Sequence, residues 1–412
     1  MSKIRIKNFG PIKGGYQGND GWMEVKKVTV FIGNQGSGKS TVAKLISTFT
    51  WIEKALTRGD YEIKWFTANK KFRNIFCGYH NLQNYFIDIK GKDIAELEYR
   101  GNSYTMKYQN AKLSIEESSK TTYPLPQIMY IPAERNFIST IKSPKLLRLS
   151  SDSLVEFLTE FDNAKSEIKG GLKLPINNTN IEYDKLNDIL NIKGADYKVH
   201  LTEASSGFQS LVPLYLVSWY LANSVKLQTE SFREPMSSDE LERFRKSVAE
   251  IWSNDNFTDE QRRVAISALS SQFNKTAFIN IVEEPEQNLF PSSQKQMLYS
   301  LLELNNTNDG NKLIITTHSP YIINYLSIAI QAGELKEKLE KMKDFAKLQA
   351  VIPPAATVKS EDVVIYQLDE MDGSIKKLST FEGIPSDNNY LNQSLAEGNE
   401  LFDALLEIEQ AL

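Results

Sequence analysis

The sequence predicts an α/β fold with a mainly parallel sheet and a smaller antiparallel β lobe. Short apolar segments recur along the chain, at residues 28–32, 128–131, 278–282 and 313–316. Continuous apolar runs of this length are typical of strands that are buried on both faces of a parallel sheet. Stretches with helical spacing separate these runs, as expected when helices cover the sheet. By contrast, residues 85–108 contain short alternating runs joined by turn residues, which predicts antiparallel hairpins.

Composition and charge exclude several classes of protein. The 412 residues are 41% hydrophobic and 24% charged, which excludes a chain that is disordered throughout and a coiled-coil rod. The net charge of -4 disfavours a protein that coats nucleic acid, although a local basic patch stays open. The single cysteine, Cys77, excludes an intrachain disulfide and fits a reducing compartment, so we expect a cytoplasmic protein. We expect no membrane span, because no run reaches about 18 apolar residues, and no signal peptide.

The first half of the chain is expected to begin the sheet and to form the β lobe. Residues 4–9 alternate apolar and charged side chains, which predicts a half-buried first strand. Residues 25–32 predict the next strand, and residues 42–56 predict a helix because they have helical spacing and few breakers. The hairpins at 85–108 place the antiparallel β lobe within residues 57–126.

The second half is expected to complete a single domain, residues 1–412, by adding helical segments to the sheet. Its boundaries follow from charged helical stretches, glycine- and asparagine-rich loops, and prolines. The expected segments are a helical lobe at 136–200, with a helix at 149–168 and a loop at 170–178; a helix at 208–223; a helical insertion at 227–275; a charged helical insertion at 333–352; and a C-terminal strand and helix at 360–412.

A glycine-rich loop follows the strand predicted at 25–32. Residues 33–40 read GNQGSGKS and match the pattern G-x-x-x-x-G-K-[ST] at every fixed position. Glycines let the backbone wrap a triphosphate with its N–H groups directed inward, and the following helix adds the positive end of its dipole. Lys39 is expected to reach the β- and γ-phosphates of ATP, and the Ser40 hydroxyl to ligate Mg²⁺. The expected nucleotide-binding residues are Gly33, Asn34, Gln35, Gly36, Ser37, Gly38, Lys39, Ser40 and Thr41.

Two carboxylates follow the strand predicted at 278–282. Ligands of open α/β sheets bind at the carboxyl ends of strands, where Glu283 and Glu284 are expected to lie. We expect Glu283 to hold Mg²⁺ through water, and Glu284 to polarise the attacking water as a general base or by orienting it. Successive strand residues point to opposite faces, so both serve one site only if Pro285 turns the chain. A solvated turn is the alternative, and the glycine-rich loop in the same chain argues against it.

Two further polar segments adjoin apolar elements. Ser205 and Ser206 precede an apolar helix, where either one would cap the helix or contribute, with free N–H groups, to an anion site. His318 follows the strand predicted at 313–316 and lies beside small hydroxyl residues, so it is expected to contact a phosphate. A structural histidine is the alternative at that position.

The other histidines are weaker candidates. Cys77 and His80 have the CxxH spacing of half a zinc site, but no second pair follows, so we do not expect a metal there. His200 lies in a strand-like stretch and is expected to pack.

The motifs occur in the order GNQGSGKS, SSGFQ, IVEEPE and TTHSP. This order resembles the ABC-type ATPase head of the RecF, SMC and Rad50 group, and the opening residues 6–9 are similar to the first strand of such heads. The resemblance implies an ABC-type head with a mainly parallel P-loop sheet, an antiparallel β lobe and helical insertions, which hydrolyses ATP with Mg²⁺. The roles it implies are the signature motif for Ser205, Ser206 and Gly207, the Walker B acid for Glu283, the catalytic glutamate for Glu284, the switch histidine for His318 and the D-loop for residues 287–289.

The chain departs from the family pattern in three places. Glu283 stands where aspartate is commoner, and Ala204 stands where the signature usually has leucine. The Q-loop glutamine has two candidates, Gln127 and the segment 132–135. The long insertions and the lack of an LSGGQ sequence disfavour an ATPase of a membrane transporter.

Three longer segments, YIPAER at 130–135, ASSGFQSL at 204–211 and EEPEQNL at 283–289, resemble the OLD-like ATPases of bacterial antiphage systems. The ATPase subunits of PARIS and Septu belong to this set. The resemblance implies a switch or sensor subunit that forms a homo-oligomer, at least a dimer, and releases a nuclease or toxin effector when a viral protein triggers it. Because residues 360–412 are too short for a TOPRIM domain, we expect the effector, a TOPRIM or HNH nuclease, to be separately encoded.

The alternative is a RecF-like DNA-repair or recombination ATPase that binds DNA as a dimer. Such a protein needs a basic surface. The candidate cations form two groups: Lys64, Lys70, Lys71 and Arg73, and Lys336, Lys338, Lys341 and Lys343. Glutamates alternate with the second group, which favours a solvated helix, and the net charge argues against DNA as the main ligand.

Overall fold

The computed structural model describes residues 1–90, 92–118, 125–141, 149, 151–230, 238–254, 257–258, 261–262, 265–266, 269, 276–339 and 345–410. The strands in chain order are β1 (Ser2–Lys7), β2 (Gly15–Tyr16), β3 (Met23–Val25), β4 (Val28–Gly33), β5 (Asp88–Ile89), β6 (Lys92–Asp93), β7 (Glu96–Arg100), β8 (Tyr104–Gln109), β9 (Lys112–Glu117), β10 (Pro126–Ile131), β11 (Leu172–Lys173), β12 (Asn180–Asp184), β13 (Ile189–Lys193), β14 (Lys198–His200), β15 (Ala277–Glu283), β16 (Lys312–Thr317), β17 (Val363–Leu368), β18 (Ser374–Lys377), β19 (Thr380–Phe381) and β20 (Ile384–Pro385). The α-helices are α1 (Lys39–Arg58), α2 (Ile63–Thr67), α3 (Phe137–Thr140), α4 (Asp152–Ser166), α5 (Ser206–Glu230), α6 (Ser238–Ser253), α7 (Pro291–Asn305), α8 (Pro320–Leu339), α9 (Phe345–Val351) and α10 (Tyr390–Gln410).

A seven-stranded sheet forms the centre of the fold, in the order β10-β15-β16-β4-β17-β18-β2. The first five strands in this order are parallel, and β18 then pairs antiparallel with β17. The predicted α/β fold with a mainly parallel sheet is confirmed. The register sets Glu283 beside Thr316, and Thr317 beside Ile32, so β15, β16 and β4 end at the same edge of the sheet.

Alternation along the buried strands divides the core between the two faces of this sheet. Every residue of β4 is buried; Val28, Val30 and Ile32 face one apolar cluster, and Phe31 faces the other. The first cluster contains side chains of α4, α5, α7 and α8, and the second contains those of α1, β1, β7 and β8. Both faces are therefore covered, and the loops at the carboxyl ends of the strands remain accessible to a ligand.

The antiparallel β lobe is a five-stranded sheet in the order β3-β1-β7-β8-β9. Its first two strands come from the start of the chain, so the lobe extends beyond the predicted 57–126. The single strand predicted at 25–32 is wrong, because β3 and β4 belong to different sheets and the chain crosses between them. Glu53 of α1 accepts hydrogen bonds from the Ser103 N–H at 2.7 Å and from the Tyr99 hydroxyl at 3.0 Å, which fixes the lobe on α1.

The helical lobe predicted at 136–200 is wrong over its second half. α3 and α4 are helical, but β11 to β14 form a four-stranded antiparallel sheet, which begins within the loop predicted at 170–178. Ile181 and Ile192 pair across β12 and β13, and both are buried in the first apolar cluster, which explains why this short sheet forms. His200 ends the sheet with 48% of its side chain exposed, so the prediction that it packs is also wrong.

The predicted insertions are described in part. Within 227–275, α6 buries Phe244, and most of the residues after α6 lie outside the described ones. Within 333–352, α8 and α9 are helical, and residues 340–344 lie outside the described ones. The C-terminal helix α10 begins earlier than predicted and buries none of its residues. No helix in the described ranges has the length and apolar character needed to cross a bilayer.

Candidate functional site

The glycine loop, residues 33–40, connects β4 to α1 at the carboxyl edge of the sheet. Gly33 has a φ of 148°, and a Cβ there would lie 2.3 Å from the carbonyl oxygen of Leu368. Gly38 has a φ of 101°, and a Cβ there would lie 3.0 Å from Ile12. Both positions therefore need glycine. Because Gly38 provides no side-chain cap, the first N–H groups of α1 are free to bind an anion.

Lys39 is 5% exposed and folds back over the glycine loop. Its Nζ donates to the carbonyl oxygens of Gly33 and Asn34, both at 2.8 Å. Burial lowers the pKa of Lys39 to about 8, and the nearby carboxylates, Glu284 foremost, act in the opposite direction. The Ser37 hydroxyl is buried and has no hydrogen-bond partner among the described residues. The loop thus holds a cation and a hydroxyl that suit a phosphate group.

Glu283 ends β15 with a buried carboxylate, which is 4% exposed. Its Oε2 accepts a hydrogen bond from the Ala133 N–H at 3.3 Å, whereas Oε1 has no partner in the described part of the chain. Burial and the Glu283 charge raise the pKa of the Tyr130 hydroxyl well above its usual value. A buried carboxylate oxygen without a partner costs free energy that a bound cation recovers. Carboxylate and hydroxyl oxygens suit Mg²⁺, so Glu283 and Ser40 fit the predicted metal site.

Glu284 follows directly and turns the chain by itself. Its φ of 44° is left-handed, so the turn begins here rather than at Pro285 as predicted. Its N–H donates to the carbonyl oxygen of Thr316 at 2.8 Å, and its Oε1 lies 3.3 Å from Nε2 of His318. This hydrogen bond from His318 lowers the pKa of Glu284. About one third of each of these two side chains is exposed, so a ligand can reach both.

Glu286, which was not among the predicted site residues, anchors the segment that carries His318. Its Oε1 accepts hydrogen bonds from the Thr317 hydroxyl at 2.8 Å and from the His318 N–H at 2.7 Å. Burial raises the pKa of Glu286. The next residue, Ser319, donates from its hydroxyl to Oε1 of Gln294 at 2.6 Å. These contacts fix the backbone from which the imidazole projects.

Arg135 is fully buried at this edge and was predicted only as part of the segment 132–135. Its Nη1 donates to the carbonyl oxygen of Glu283 and its Nη2 to that of Glu284, both at 2.6 Å. Its Nε donates to the carbonyl oxygen of Ser210 at 3.1 Å. Burial lowers the pKa of Arg135 to about 10, which leaves it charged at neutral pH. Hydrogen bonds to charged groups contribute about 1.5–3 kcal/mol each, so Arg135 holds the end of β15 firmly to the start of α5.

The serine–glycine turn, residues 205–207, lies at the start of α5. Both serines are exposed, and their hydroxyls make no hydrogen bond with the described residues, so neither forms the predicted side-chain cap. A Cβ on Gly207 would lie 3.0 Å from the carbonyl oxygen of Asn288, and Nδ2 of Asn288 donates to Oγ of Ser210 at 2.8 Å. The turn therefore packs beside the loop after β15 and presents its serines to solvent.

Other predicted candidates lie elsewhere. Gln127 is the second residue of β10, beside Phe278 in the register, so it lies at the end of the sheet away from this edge. In the first basic group, the Lys71 ammonium lies 4.2 Å from the ring centre of Trp65, and Arg73 donates to a backbone carbonyl oxygen at 2.9 Å. Lys64 and Lys70 are exposed.

The second basic group is described in part, and both residues of the CxxH pair are buried. Lys336 donates to a backbone carbonyl oxygen at 3.3 Å, and Lys341 and Lys343 lie outside the described residues. Cys77 and His80 are buried; burial lowers the pKa of His80 to about 3 and raises that of Cys77. In the part of the chain that the structure describes, no three or more His, Cys, Asp or Glu side chains are grouped to hold a metal.

Comparison with protein families identifies the class of the chain. The family described as AAA ATPase domain (AAA_15) matches residues 68–323, more than half of the chain. The chain belongs to this AAA ATPase family. The match begins after the glycine loop and includes the serine–glycine turn, the end of β15 and His318. A comparison with curated proteins gives no match.

Solved structures of ATPase heads are similar to the chain over most of its length. The SMC head domain from Thermotoga maritima is 12% identical, with 92% of this chain and 98% of that chain covered and a TM-score of 0.37. The Smc head domain with an extended coiled coil from Pyrococcus furiosus is 11% identical, with 97% and 100% covered and a TM-score of 0.35. A dimeric bacterial ABC transporter cassette is 11% identical, with 92% and 100% covered and a TM-score of 0.25.

Substitution of Gly33 tests the backbone geometry of the glycine loop. Gly33→Ala places a Cβ 2.3 Å from a backbone oxygen and 2.9 Å from Oγ of Ser37. Gly36→Ala is the matched control, because its φ of 76° is also positive but no atom lies within 4 Å of its Cβ. In urea unfolding, we expect Gly36→Ala to cost about 1 kcal/mol and Gly33→Ala more than about 3 kcal/mol. Equal losses would contradict the close approach of β17 to this loop.

Proposed function

We propose that this AAA ATPase is a nucleotide-driven switch whose hydrolytic site is completed by a second copy of the chain. One observation carries the proposal. Lys39, Glu283, Glu284 and His318 converge at one edge of the sheet, whereas the serine–glycine turn faces solvent with its hydroxyls unbound. The residues proposed to bind phosphate and metal thus lie together, while the donors of the serine–glycine turn point outward. This arrangement suits a site that a second copy of the chain completes.

The glycine loop is proposed to hold the phosphates of ATP. Its free N–H groups and the start of α1 would face the phosphate oxygens. Lys39 would exchange its two carbonyl contacts for the β- and γ-phosphates. Ser40 and the unpaired Oε1 of Glu283 would hold Mg²⁺, which neutralises phosphate charge when bound.

Glu284 is proposed to position the attacking water, with His318 as its partner. The contact at 3.3 Å between the two side chains directs the carboxylate and favours its ionised form. A lowered pKa makes Glu284 a weaker proton acceptor, which favours orientation of the water over general-base catalysis. Glu286 would keep His318 in place through the backbone contacts described above.

The serine–glycine turn is proposed to contact the γ-phosphate that another copy binds. Ser205, Ser206 and Gly207 lie at a helix start whose N–H groups suit an anion. Within the described residues the turn makes no hydrogen bond with the glycine loop of its own chain. The proposed unit is therefore a homo-oligomer, at least a dimer, that closes on ATP and opens after hydrolysis.

A more specific proposal rests on the resemblance of the segments at 130–135, 204–211 and 283–289 to OLD-like ATPases. In this proposal the switch acts in a cytoplasmic antiphage complex, where it holds a separately encoded TOPRIM or HNH nuclease until a viral protein triggers release. These three segments meet around Arg135, which supports a shared mechanical role. Native mass spectrometry with ATP, Mg²⁺ and the product of the neighbouring gene tests it. A nuclease complex supports the proposal, and a neighbour product that is no nuclease or never binds contradicts it.

The affinity for ATP is expected to depend on pH through Lys39. Its pKa without nucleotide is about 8, and phosphate binding favours the charged form, so binding takes up a proton above that pH. Affinity should therefore fall about tenfold between pH 7 and pH 9. Fluorescent-nucleotide titration of Lys39→Met should show affinity lowered at least about tenfold at pH 7 and no such pH dependence. Lys44→Met, on the same helix, is the control. Wild-type affinity in Lys39→Met would exclude the proposed role.

Glu284→Gln is expected to bind ATP normally and to hydrolyse it at least about a hundredfold more slowly, because the amide lacks the charge that organises the water. ATP-bound oligomers should accumulate, as measured by native mass spectrometry and phosphate release. Glu116→Gln is the control, since this carboxylate is exposed on β9 in the antiparallel β lobe. Wild-type hydrolysis in Glu284→Gln would move the catalytic role to another residue.

A further inference from the structure

Arg135 joins two elements that the proposed function requires to act together. Its guanidinium is fully buried between the end of β15 and the first turn of α5, and it donates hydrogen bonds to both. We propose that Arg135 is a positioning residue that couples the carboxylates at the end of β15 to the serine–glycine turn. ATP bound beside these carboxylates then sets the position of the turn. This inference rests on the proposed function and names the device that regulates the same site.

On the strand side, Arg135 fixes the point where the two carboxylates leave the sheet. Nη1 and Nη2 each bind one carbonyl oxygen, of Glu283 and of Glu284, at 2.6 Å. The chain turns between these two peptide groups, where Glu284 has its left-handed φ of 44°. Nη1 also donates to the carbonyl oxygen of Pro132 at 3.3 Å, which holds the guanidinium against its own segment. A shift of either carboxylate on ligand binding therefore moves a carbonyl that Arg135 holds.

On the helix side, the contact falls at Ser210, about one helical turn after Gly207. Nε of Arg135 binds the carbonyl oxygen of Ser210 at 3.1 Å. Oγ of the same serine accepts the hydrogen bond from Asn288, in the loop that follows β15. The first turn of α5 is thus tied to the end of β15 through Arg135 and to the following loop through Asn288, and both ties meet at Ser210.

A guanidinium suits this role better than an ammonium. Its donors lie in a fixed plane, which lets one side chain span two elements at once, whereas lysine has a single ammonium nitrogen. The four acceptors that the structure gives Arg135 are all main-chain carbonyl oxygens, on Pro132, Ser210, Glu283 and Glu284. Its contacts therefore respond to backbone position and not to side-chain rotamers, as a mechanical connection requires.

Two variants and one matched control test the coupling, all in the Glu284→Gln background so that hydrolysis does not intervene. Arg135→Lys removes the link to one of the two elements, and Ser210→Ala removes the tie to Asn288. Ser218→Ala is the control, because Ser218 accepts a hydrogen bond from Asn280 at 3.0 Å and so joins the same helix and strand farther from the site. The measurements are ATP affinity, ATP-dependent association, and amide hydrogen exchange of residues 204–211.

We expect Arg135→Lys and Ser210→Ala to bind ATP within about threefold of the parent but to associate at least about tenfold more weakly. ATP should no longer change amide exchange at 204–211 in either variant. Ser218→Ala should match the parent in all three measurements, which separates coupling from a general loosening of α5.

If Arg135→Lys folds and its ATP-dependent association is as strong as that of the parent, the inference is overturned. If Arg135→Lys does not fold, Arg135→Gln, which keeps an uncharged amide donor, takes its place: weaker association with normal ATP affinity supports the coupling, and association at the parent level overturns it. If the Glu284→Gln parent forms no oligomer in the presence of ATP, the proposed function is contradicted before any variant is compared. The coupling is then contradicted as well.

Discussion

The parallel register of β15, β16 and β4 is the constraint on which the site depends. Because these strands run in one direction, Glu283, Thr317 and Gly33 leave the sheet side by side although they are far apart in the sequence. Apolar side chains on both faces of each strand hold this register, since a slip of one residue would exchange the two faces. The two cores therefore do more than stabilise the fold. They align the glycine loop with Glu283 and Glu284, from which the proposed contacts with phosphate, Mg²⁺ and water project.

The buried cations at this edge bind carbonyl oxygens rather than carboxylates. Lys39 binds two carbonyls of its own loop, and Arg135 binds those that end β15. One oxygen of Glu283 is consequently left without a partner among the described residues. An unsatisfied buried group costs about 1–3 kcal/mol, and a bound metal would recover that free energy. The arrangement keeps negative oxygens available for Mg²⁺ and a positive nitrogen available for phosphate, where direct ion pairs would have neutralised both.

Local sequence patterns predicted those elements whose structure is determined by residues close to one another in the chain. The helices at 42–56 and 208–223, the buried strands, and the places of Glu283, Glu284 and His318 at strand ends followed from apolar runs and fixed motif spacing. The contact between Glu284 and His318 was not predicted. The sheet of β11 to β14 was missed because its strands are short and mostly polar, so that their alternation is weak.

The roles of Arg135 and Glu286 were not predicted, for a different reason. Arg135 binds main-chain carbonyl oxygens, and Glu286 binds the His318 N–H as well as the Thr317 hydroxyl. A contact with a main-chain group leaves no residue type in the partner segment to recognise. Gln127 shows the converse, because its residue type suited a role that its place at the start of β10 does not allow. The position of a residue along its strand decides whether the side chain reaches the site, and the residue type alone does not reveal that position.

The central claim is that each nucleotide site combines the glycine loop of one copy with the serine–glycine turn of another. Mixing two inactive variants, Lys39→Ala and Ser205→Glu, measures this directly, because a mixed dimer contains one site with both defects and one with neither. We predict that neither variant hydrolyses ATP alone. An equal mixture should recover about one quarter of the wild-type rate, since half of the dimers are mixed and one of their two sites is intact. A mixture as inactive as its components would contradict a site shared between copies.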